Sequence, residues 1–190
     1  MRGRAFAACL LLAAGLAAAP AAPVAAQEAA DDIMSKIVNV PPPSAHQVDG
    51  LRTKPKVRKD ETVQGGEALR INVSGKADNP WAIQASNAIK KPIKAGDNLI
   101  VAFWARLEKG PDGAATVTLP FNGIQMSGAP YTTLFSAPVE VGPEWKLHEV
   151  KGKAEKDYGS DTLRVSIHLA TAKQTVDLGP IFVLNMGPGK

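Results

Sequence analysis

The sequence predicts an all-β protein: a two-sheet antiparallel β-sandwich of about eight strands. From residue 65 onward, short runs of alternating apolar and polar residues are separated by turn segments such as KADNP, KGPDG and SGAP. No part of this region has the 3.6-residue apolar repeat of helices that cover a parallel sheet. Strands without covering helices bury their apolar sides by packing one sheet on another.

Each predicted strand begins and ends at such a turn. The runs are ALRINVS (68–74), WAIQAS (81–86), NLIVAFWARLE (98–108), ATVTLPF (115–121), TLFSAPVEV (133–141), KLHEVKGKA (146–154), TLRVSIHLA (162–170) and TVDLGPIFVLNM (175–186).

In two of these runs, the alternation shows which side chains share a face of the sheet, because successive side chains of a strand point to opposite sides. In 98–108, one side carries Leu99, Val101, Phe103 and Ala105, and the other carries Ile100, Ala102, Trp104 and Arg106. In 162–170, the alternation points Leu163, Val165, Ile167 and Leu169 inward and leaves Arg164, Ser166 and His168 outward.

The chain divides into three parts. Residues 1–26 read as an export signal, with two arginines, an apolar stretch and small residues before Gln27. Residues 27–60 contain three consecutive prolines at 41–43 and are predicted as a Pro-rich linker or N-terminal segment. Residues 61–190 form the predicted sandwich domain, and we expect a periplasmic or secreted protein without membrane insertion.

Composition excludes several classes of function. Cys9, the single cysteine, lies in the signal, so the exported chain has no disulfide, thiolate metal site or cysteine nucleophile. Beyond the signal, 20 basic residues stand against 18 acidic ones, a balance of +2 that argues against a nucleic acid partner. The basic run RTKPKVRK at 52–59 is interrupted by proline and followed by two acids, and we interpret it as a solvated approach to the domain.

No catalytic or metal-binding constellation is evident, so the sequence predicts no enzyme and no cofactor. It has no glycine-rich phosphate loop, no G-x-S-x-G elbow and no H-E-x-x-H pair. His46, His148 and His168 lack the spacing of metal ligands. Most carboxylates lie in predicted turns, where they are normally solvated or cap the backbone.

The candidate site residues are aromatic, amide and basic side chains at strand ends and on presumed outward faces. Sugars have apolar C–H faces and hydroxyl edges, which flat rings and bidentate hydrogen-bonding groups recognise. The candidates are Trp81, Gln84, Trp104, Arg106, Asn122, Gln125, Tyr131 and His168.

Three stretches in order resemble carbohydrate-binding modules of the family 4/9/22 type. They are GGEALRINVSGKADNPWAIQASNAIKKPIKAGDNLIVAFWARLE, GPEWKLHEVKGKA and TLRVSIHLATAKQTVDLGPIFVLN, within residues 65–186. The resemblance implies a β-jelly-roll that binds polysaccharide or oligosaccharide without cleaving it and is usually attached to a glycoside hydrolase. No catalytic domain is evident in this sequence, so we expect a partner hydrolase to be encoded separately. Trp81 falls on the family's platform tryptophan, Tyr131 near a second ligand-contacting aromatic, and His168 on a strand whose outward polar residue contacts sugar. Gly179 stands where many relatives have an aspartate that helps to hold a structural calcium, a departure that argues against such a calcium site in this chain.

Structural interpretations of the same residues stay open. Trp81 at a strand start can cap the core, Trp104 can stack on Arg106, and a polar outward row with His168 can be merely solvated. Phe121 lies in apolar alternation and is predicted as core. The alternative functions are a cell-envelope sandwich that binds a protein through an apolar patch, and a polysaccharide hydrolase. The glycan, its mode of binding and the oligomeric state are not predicted.

Overall fold

The computed structural model describes residues 31–189, which form a β-sandwich of ten strands. The predicted signal at 1–26, with Cys9, lies outside the described residues. A helical turn at 31–35 and short 3-10 helices at Pro43–Ala45, Pro80–Ala82 and Pro111–Gly113 connect the strands. Within residues 31–189, no helix is both long and apolar enough to cross a membrane.

The ten strands make two five-stranded antiparallel sheets, which confirms the predicted fold class. The strands are β1 (Gln47–Asp49), β2 (Val57–Lys59), β3 (Glu67–Val73), β4 (Gln84–Ala88), β5 (Asp97–Lys109), β6 (Val117–Met126), β7 (Thr133–Val141), β8 (Lys146–Lys153), β9 (Leu163–His168) and β10 (Gln174–Pro188). The sheet with strand order β1-β4-β9-β6-β7 is called the front sheet, and the sheet with order β2-β3-β10-β5-β8 the back sheet.

The core lies between the two sheets and follows the predicted alternation. The four inward residues of β5 and the four predicted inward residues of 162–170 are at most 1% exposed. They pack against apolar side chains of β10 such as Val176 and Leu178. The predicted face assignment of both runs is therefore confirmed.

Two strands lie where the sequence predicts a linker, which accounts for ten strands instead of about eight. Val48 of β1 pairs with Ala85 of β4, and Arg58 of β2 pairs with Ala68 of β3, so β1 and β2 form the edges of the two sheets. Each strand is only three residues long, too short to show an alternation between the flanking turns.

A buried polar cluster, which we call the amide clamp, joins the N-terminal segment to both sheets. It consists of Asn39, His46 and Asn87. The Asn39 amide donates to Asn87 Oδ1 at 3.0 Å, and its own Oδ1 accepts from the Val183 backbone N–H at 2.8 Å. Asn87 Nδ2 donates to His46 Nδ1 at 3.0 Å, and His46 Nε2 donates to the Gly179 carbonyl at 3.0 Å. The clamp thus ties β4 of the front sheet to β10 of the back sheet.

Burial makes the clamp sensitive to acid. Desolvation lowers the pKa of His46 to about 4, although its bond to the Gly179 carbonyl opposes the shift. The ring is therefore neutral at pH 7, as its acceptor role toward Asn87 requires.

We expect the free energy of unfolding to fall by about 3 kcal/mol between pH 7 and pH 4 on account of His46. The unfolded chain takes up the proton near the ordinary histidine pKa, whereas the folded chain takes it up only near pH 4. Stability is therefore full at neutral pH and is lost as the pH falls through this window. Urea unfolding of the wild type and His46→Gln, followed by circular dichroism, isolates this contribution from that of other histidines. Parallel pH profiles for the two proteins would contradict the assignment.

Candidate functional site

The outer face of the front sheet holds a cleft of about 850 Å³. Three aromatic residues form much of its wall: Trp81, Phe121 and Tyr131. Gln84, Gln125 and His168 also line it, so five of the eight predicted site residues come together here.

Strand register explains why a trough forms along this face. One row across the sheet contains Gln84 beside His168, and another contains Arg164 beside Gln125. Between them, the outward positions are occupied by small residues: Ser86, Ser166, Gly123 and Ser136. A Cβ on Gly123 would lie 2.1 Å from the Phe135 carbonyl oxygen, so only glycine fits at that position. The side chains of this middle row are shorter than those of the rows on either side, which line the cleft.

Trp81 does not start a strand as the sequence predicts. It lies in the Pro80–Ala82 3-10 helix, and β4 begins only at Gln84. The backbone N–H groups of Leu169 and Ala170 donate to the carbonyls of Ile83 and Pro80, at 2.9 and 3.0 Å, and hold this turn against the end of β9. Trp81 is 56% exposed, so its ring is not a core plug.

A β-bulge places Phe121 at the cleft. Between Leu119 and Asn122 the pairing of β6 with β7 shifts, so that two residues of β6 face one residue of β7. Phe121 was predicted as core, but the bulge turns it outward, where its ring stacks on His168 at a centroid distance of 4.3 Å and an angle of 14°.

Asn122 stabilises this bulge and does not line the cleft. It is fully buried, and its Nδ2 donates to the Leu119 carbonyl at 2.9 Å and to the Ala137 carbonyl at 3.0 Å. These two carbonyls belong to the residues that flank the shift in register. The amide therefore satisfies backbone acceptors where the strand pairing is interrupted.

His168 points outward as predicted, yet it is covered. Its side chain lies between Phe121 and Trp81, whose ring centroid is 6.1 Å away, and the residue is only 7% exposed. Burial, together with the positive charge of Arg164, lowers the pKa of His168 to about 4. The imidazole is neutral at pH 7 and offers one donor and one acceptor nitrogen.

Tyr131 forms the other end of the cleft. Its backbone has φ +55°, and its N–H donates to the Gly128 carbonyl at 2.9 Å, which holds the ring in a turn where it is 49% exposed. The guanidinium carbon of Arg164 lies 5.2 Å from the centroid of this ring, a cation–π geometry. Arg164, next to the tyrosine ring, and His168, next to the tryptophan ring, are four residues apart on β9, about 13 Å along the strand.

Several polar atoms along this face have no protein partner. Among residues 31–189, nine buried side-chain nitrogen or oxygen atoms lack a hydrogen bond. Four belong to outward residues of β4 and β9: Gln84 Oε1, Arg164 Nε, Ser166 Oγ and His168 Nε2. Buried polar groups are normally paired, so this strip has hydrogen-bonding capacity that the fold does not use.

Trp104 and Arg106 lie on the outer face of the back sheet and do not join the cleft. Trp104 Nε1 donates to Gln64 Oε1 at 2.9 Å. Arg106 Nε donates to Asp177 Oδ2 at 2.9 Å, and its guanidinium carbon lies 5.0 Å from the Trp145 ring centroid. Both side chains are therefore engaged within the fold, one by an amide and the other by a carboxylate.

Asp177 is the centre of an ion-pair network on that sheet. It is fully buried and accepts hydrogen bonds from Arg58 at 2.6 Å, Arg70 at 2.9 Å and Arg106 at 2.9 Å. Burial alone would raise its pKa, but the hydrogen bonds from Arg70 and Arg106 and the charge of Arg58 hold the pKa below its usual range.

Sequence reasoning missed Asp49 and Arg164, which also line the cleft. Asp49 lies on β1, in the segment predicted as linker, and accepts a hydrogen bond from Gln47 Nε2 at 2.7 Å. Arg164 was assigned to the same outward row of its strand as His168, and this shared row could have identified it as a site residue. Within the described part of the chain, no group of three or more His, Cys, Asp or Glu side chains could hold a metal ion.

We expect Asp177→Asn to lower the free energy of unfolding by about 2–3 kcal/mol, since it leaves three partly exposed arginines without their shared carboxylate. Glu149→Gln is the matched control, because Glu149 pairs at 3.0 Å with Lys151 on the exposed surface, and it should change stability by less than about 0.5 kcal/mol. Denaturant unfolding measures both. Equal effects of the two substitutions would show that the network contributes little.

The comparisons with known proteins find similar folds but no related sequence. No protein-family model matches the chain, and no curated protein sequence matches it. Three solved structures have this fold. A CBM4 module matches with a TM-score of 0.54 and 14% identity, over 75% of this chain and 96% of that one. The N-terminal cellulose-binding domain of Cellulomonas fimi β-1,4-glucanase C matches with a TM-score of 0.53 and 14% identity, over 75% of this chain and 90% of that one. The joined CBM22-1 and GH10 modules of Clostridium thermocellum xylanase 10B, solved with xylohexaose, match with a TM-score of 0.53 and 13% identity, over 79% of this chain and 28% of that one.

At these identities the likeness shows the architecture and leaves the ligand open. Two of the three matched chains are spanned almost completely, and the third is a hydrolase of which only the module-sized part corresponds. The chain therefore has the β-jelly-roll fold found in carbohydrate-binding modules of the family 4 and 22 type, which confirms the resemblance of its motifs at the level of the fold.

Proposed function

We propose that the chain is an exported, non-catalytic module that binds polysaccharide in the cleft of the front sheet. The observation that carries the proposal is the meeting of exposed aromatic rings and unpartnered polar atoms in this one cleft. A preformed groove of this composition matches the two surfaces of a sugar ring, its apolar C–H face and its hydroxyl edge.

The aromatic residues supply platforms at both ends. Trp81 and Tyr131 are 56% and 49% exposed, and each is held by backbone hydrogen bonds of its turn. The stretch of β9 between their neighbours, Arg164 and His168, is about 13 Å long, which exceeds one sugar ring, so a chain of several sugars is needed to contact both platforms. Polysaccharide or a long oligosaccharide therefore fits this site better than a monosaccharide.

Polar side chains between the platforms orient the sugars. Gln84 and Gln125 offer amides that donate and accept, neutral His168 offers both roles, and Arg164 offers donors only. Binding provides partners for atoms that lack them in the free protein, provided that small side-chain movements expose these atoms to the ligand.

The proposal assigns no catalytic role. Glycoside hydrolysis uses two carboxyl groups that flank the scissile bond, and within residues 31–189 Asp49 is the one carboxylate that lines the cleft. The cleft is polar and aromatic, which suits a glycan. A protein partner would be expected to bind an apolar patch instead. Export is proposed on the signal predicted at residues 1–26, and a glycoside hydrolase is the proposed partner.

We expect Trp81→Ala to weaken polysaccharide binding at least tenfold, about 1.4 kcal/mol, because it removes a central stacking surface. Affinity electrophoresis through gels of xylan, mixed-linkage glucan, mannan and galactan measures the change, and assay of reducing sugar in parallel detects cleavage. Trp104→Ala is the matched control, since it removes the same side chain from the opposite sheet and should leave retardation unchanged.

Each contrary result has a clear meaning. Equal retardation of folded Trp81→Ala and the wild type would exclude the cleft as the binding site. Absence of retardation in every gel would contradict glycan binding, and release of reducing sugar would contradict the non-catalytic role.

A further inference from the structure

A second groove, which we call the basic groove, lies beside the loop that connects β1 to β2. It has a volume of about 770 Å³ and is lined by the exposed side chains of Arg52, Lys54 and Lys56, with Arg70 and Asn72 of β3 on the other side. The groove has no acidic residue in its lining. It contains most of the run that the sequence analysis interpreted as a solvated approach to the domain.

The positive charges of this loop form no ion pair with the part of the chain that the structure describes. Arg70 forms ion pairs with Asp177 at 2.9 Å and Glu108 at 2.8 Å. Among residues 31–189, by contrast, no carboxylate oxygen lies within 4.0 Å of the charged atoms of Arg52, Lys54 or Lys56. The groove therefore presents three positive charges that have no acidic partner among the described residues.

The loop is anchored at several points. It leaves β1 at Gly50, whose φ is +84° and where a Cβ would lie 1.7 Å from the Ala82 carbonyl oxygen. Pro55 is half-buried, and β2 follows immediately after Lys56. Such anchoring keeps the three charges on one side of the molecule and lowers the entropic cost of using them together.

The basic groove and the cleft are lined by adjacent residues of the same two segments of the chain. Asp49 lines the cleft and Gly50, the next residue, lines the groove. Likewise, Gln84 lines the cleft and Ile83, the residue before it, lines the groove. A chain that leaves the cleft past Asp49 and Trp81 therefore comes next to the basic loop.

The cleft and the basic groove differ in net charge. The cleft contains one acidic and one basic side chain, Asp49 and Arg164, and has no net charge, whereas the loop residues give the groove a charge of +3. We propose that the basic groove binds anionic groups of the same polysaccharide whose neutral sugar faces occupy the cleft. The ligand class is thus an acidic polysaccharide, and this inference rests on the proposed function.

Binding to matched pairs of polymers tests the proposal. Glucuronoxylan and its carboxyl-reduced form, and polygalacturonate and its methyl ester, differ in charge but keep the same backbone. At about 20 mM NaCl, where exposed charges are weakly screened, we expect the wild type to bind the acidic member of at least one pair about tenfold more tightly. The triple variant Arg52→Gln, Lys54→Gln, Lys56→Gln should lose this preference and keep its affinity for the neutral member.

A control triple variant removes the same charge elsewhere. Lys146→Gln, Lys151→Gln, Lys153→Gln changes exposed lysines of β8, at the edge of the back sheet opposite β2, and should retain the preference. Equal binding of the acidic and neutral members by the wild type, or an equal loss of the preference in both triple variants, would contradict the proposed role of the basic groove. Neither result would contradict binding in the cleft. Binding of no polymer would overturn the proposed function as well. Tighter binding of a short DNA duplex than of any acidic glycan would assign the groove to nucleic acid and overturn the inference.

Discussion

The two-residue repeat of β9 is the constraint on which both the core and the cleft depend. Val165 and Ile167 are fully buried between the sheets, while Arg164 and His168, on the opposite face of the same strand, line the cleft. A one-residue slip in register would move the charged and polar side chains into the core and the apolar ones into the cleft. Pairing with β4 on one side and β6 on the other fixes this register, so the strand that closes the core also presents the site.

The shape of the cleft comes from two departures from regular sheet structure. Gly123 and its serine neighbours lower the middle row of the front sheet, and the bulge before Asn122 brings Phe121 onto the face beside His168. The amide clamp, at the buried edge where the N-terminal segment meets both sheets, holds those sheets together independently of the cleft. The packing of the sheets and the proposed binding in the cleft therefore involve different polar groups, and we expect substitution in one set to leave the other largely in place.

Local pattern predicted the sandwich well because strands of five or more residues show their alternation directly. It did not predict β1 and β2, which are three residues each and exist through pairing with partners distant in sequence. The site was predicted in part. Strand ends and an outward row of side chains pointed to Trp81, Tyr131 and His168. The same kinds of side chain, in the same alternation, pointed to Trp104 and Arg106, but these lie on the other sheet. Which of two sheets a strand joins is a property of topology, which alternation alone does not contain.

The central claim is that the outer face of the front sheet binds glycan, and an NMR titration tests it most directly. Isotope-labelled protein would be titrated with an oligosaccharide of the polymer that retards it most strongly. The account predicts that chemical shifts change for the Trp81 indole N–H, the side-chain amides of Gln84 and Gln125, and the backbone around Tyr131, while the Trp104 indole N–H stays unchanged. Shift changes confined to the back sheet, or none at saturating oligosaccharide, would contradict it.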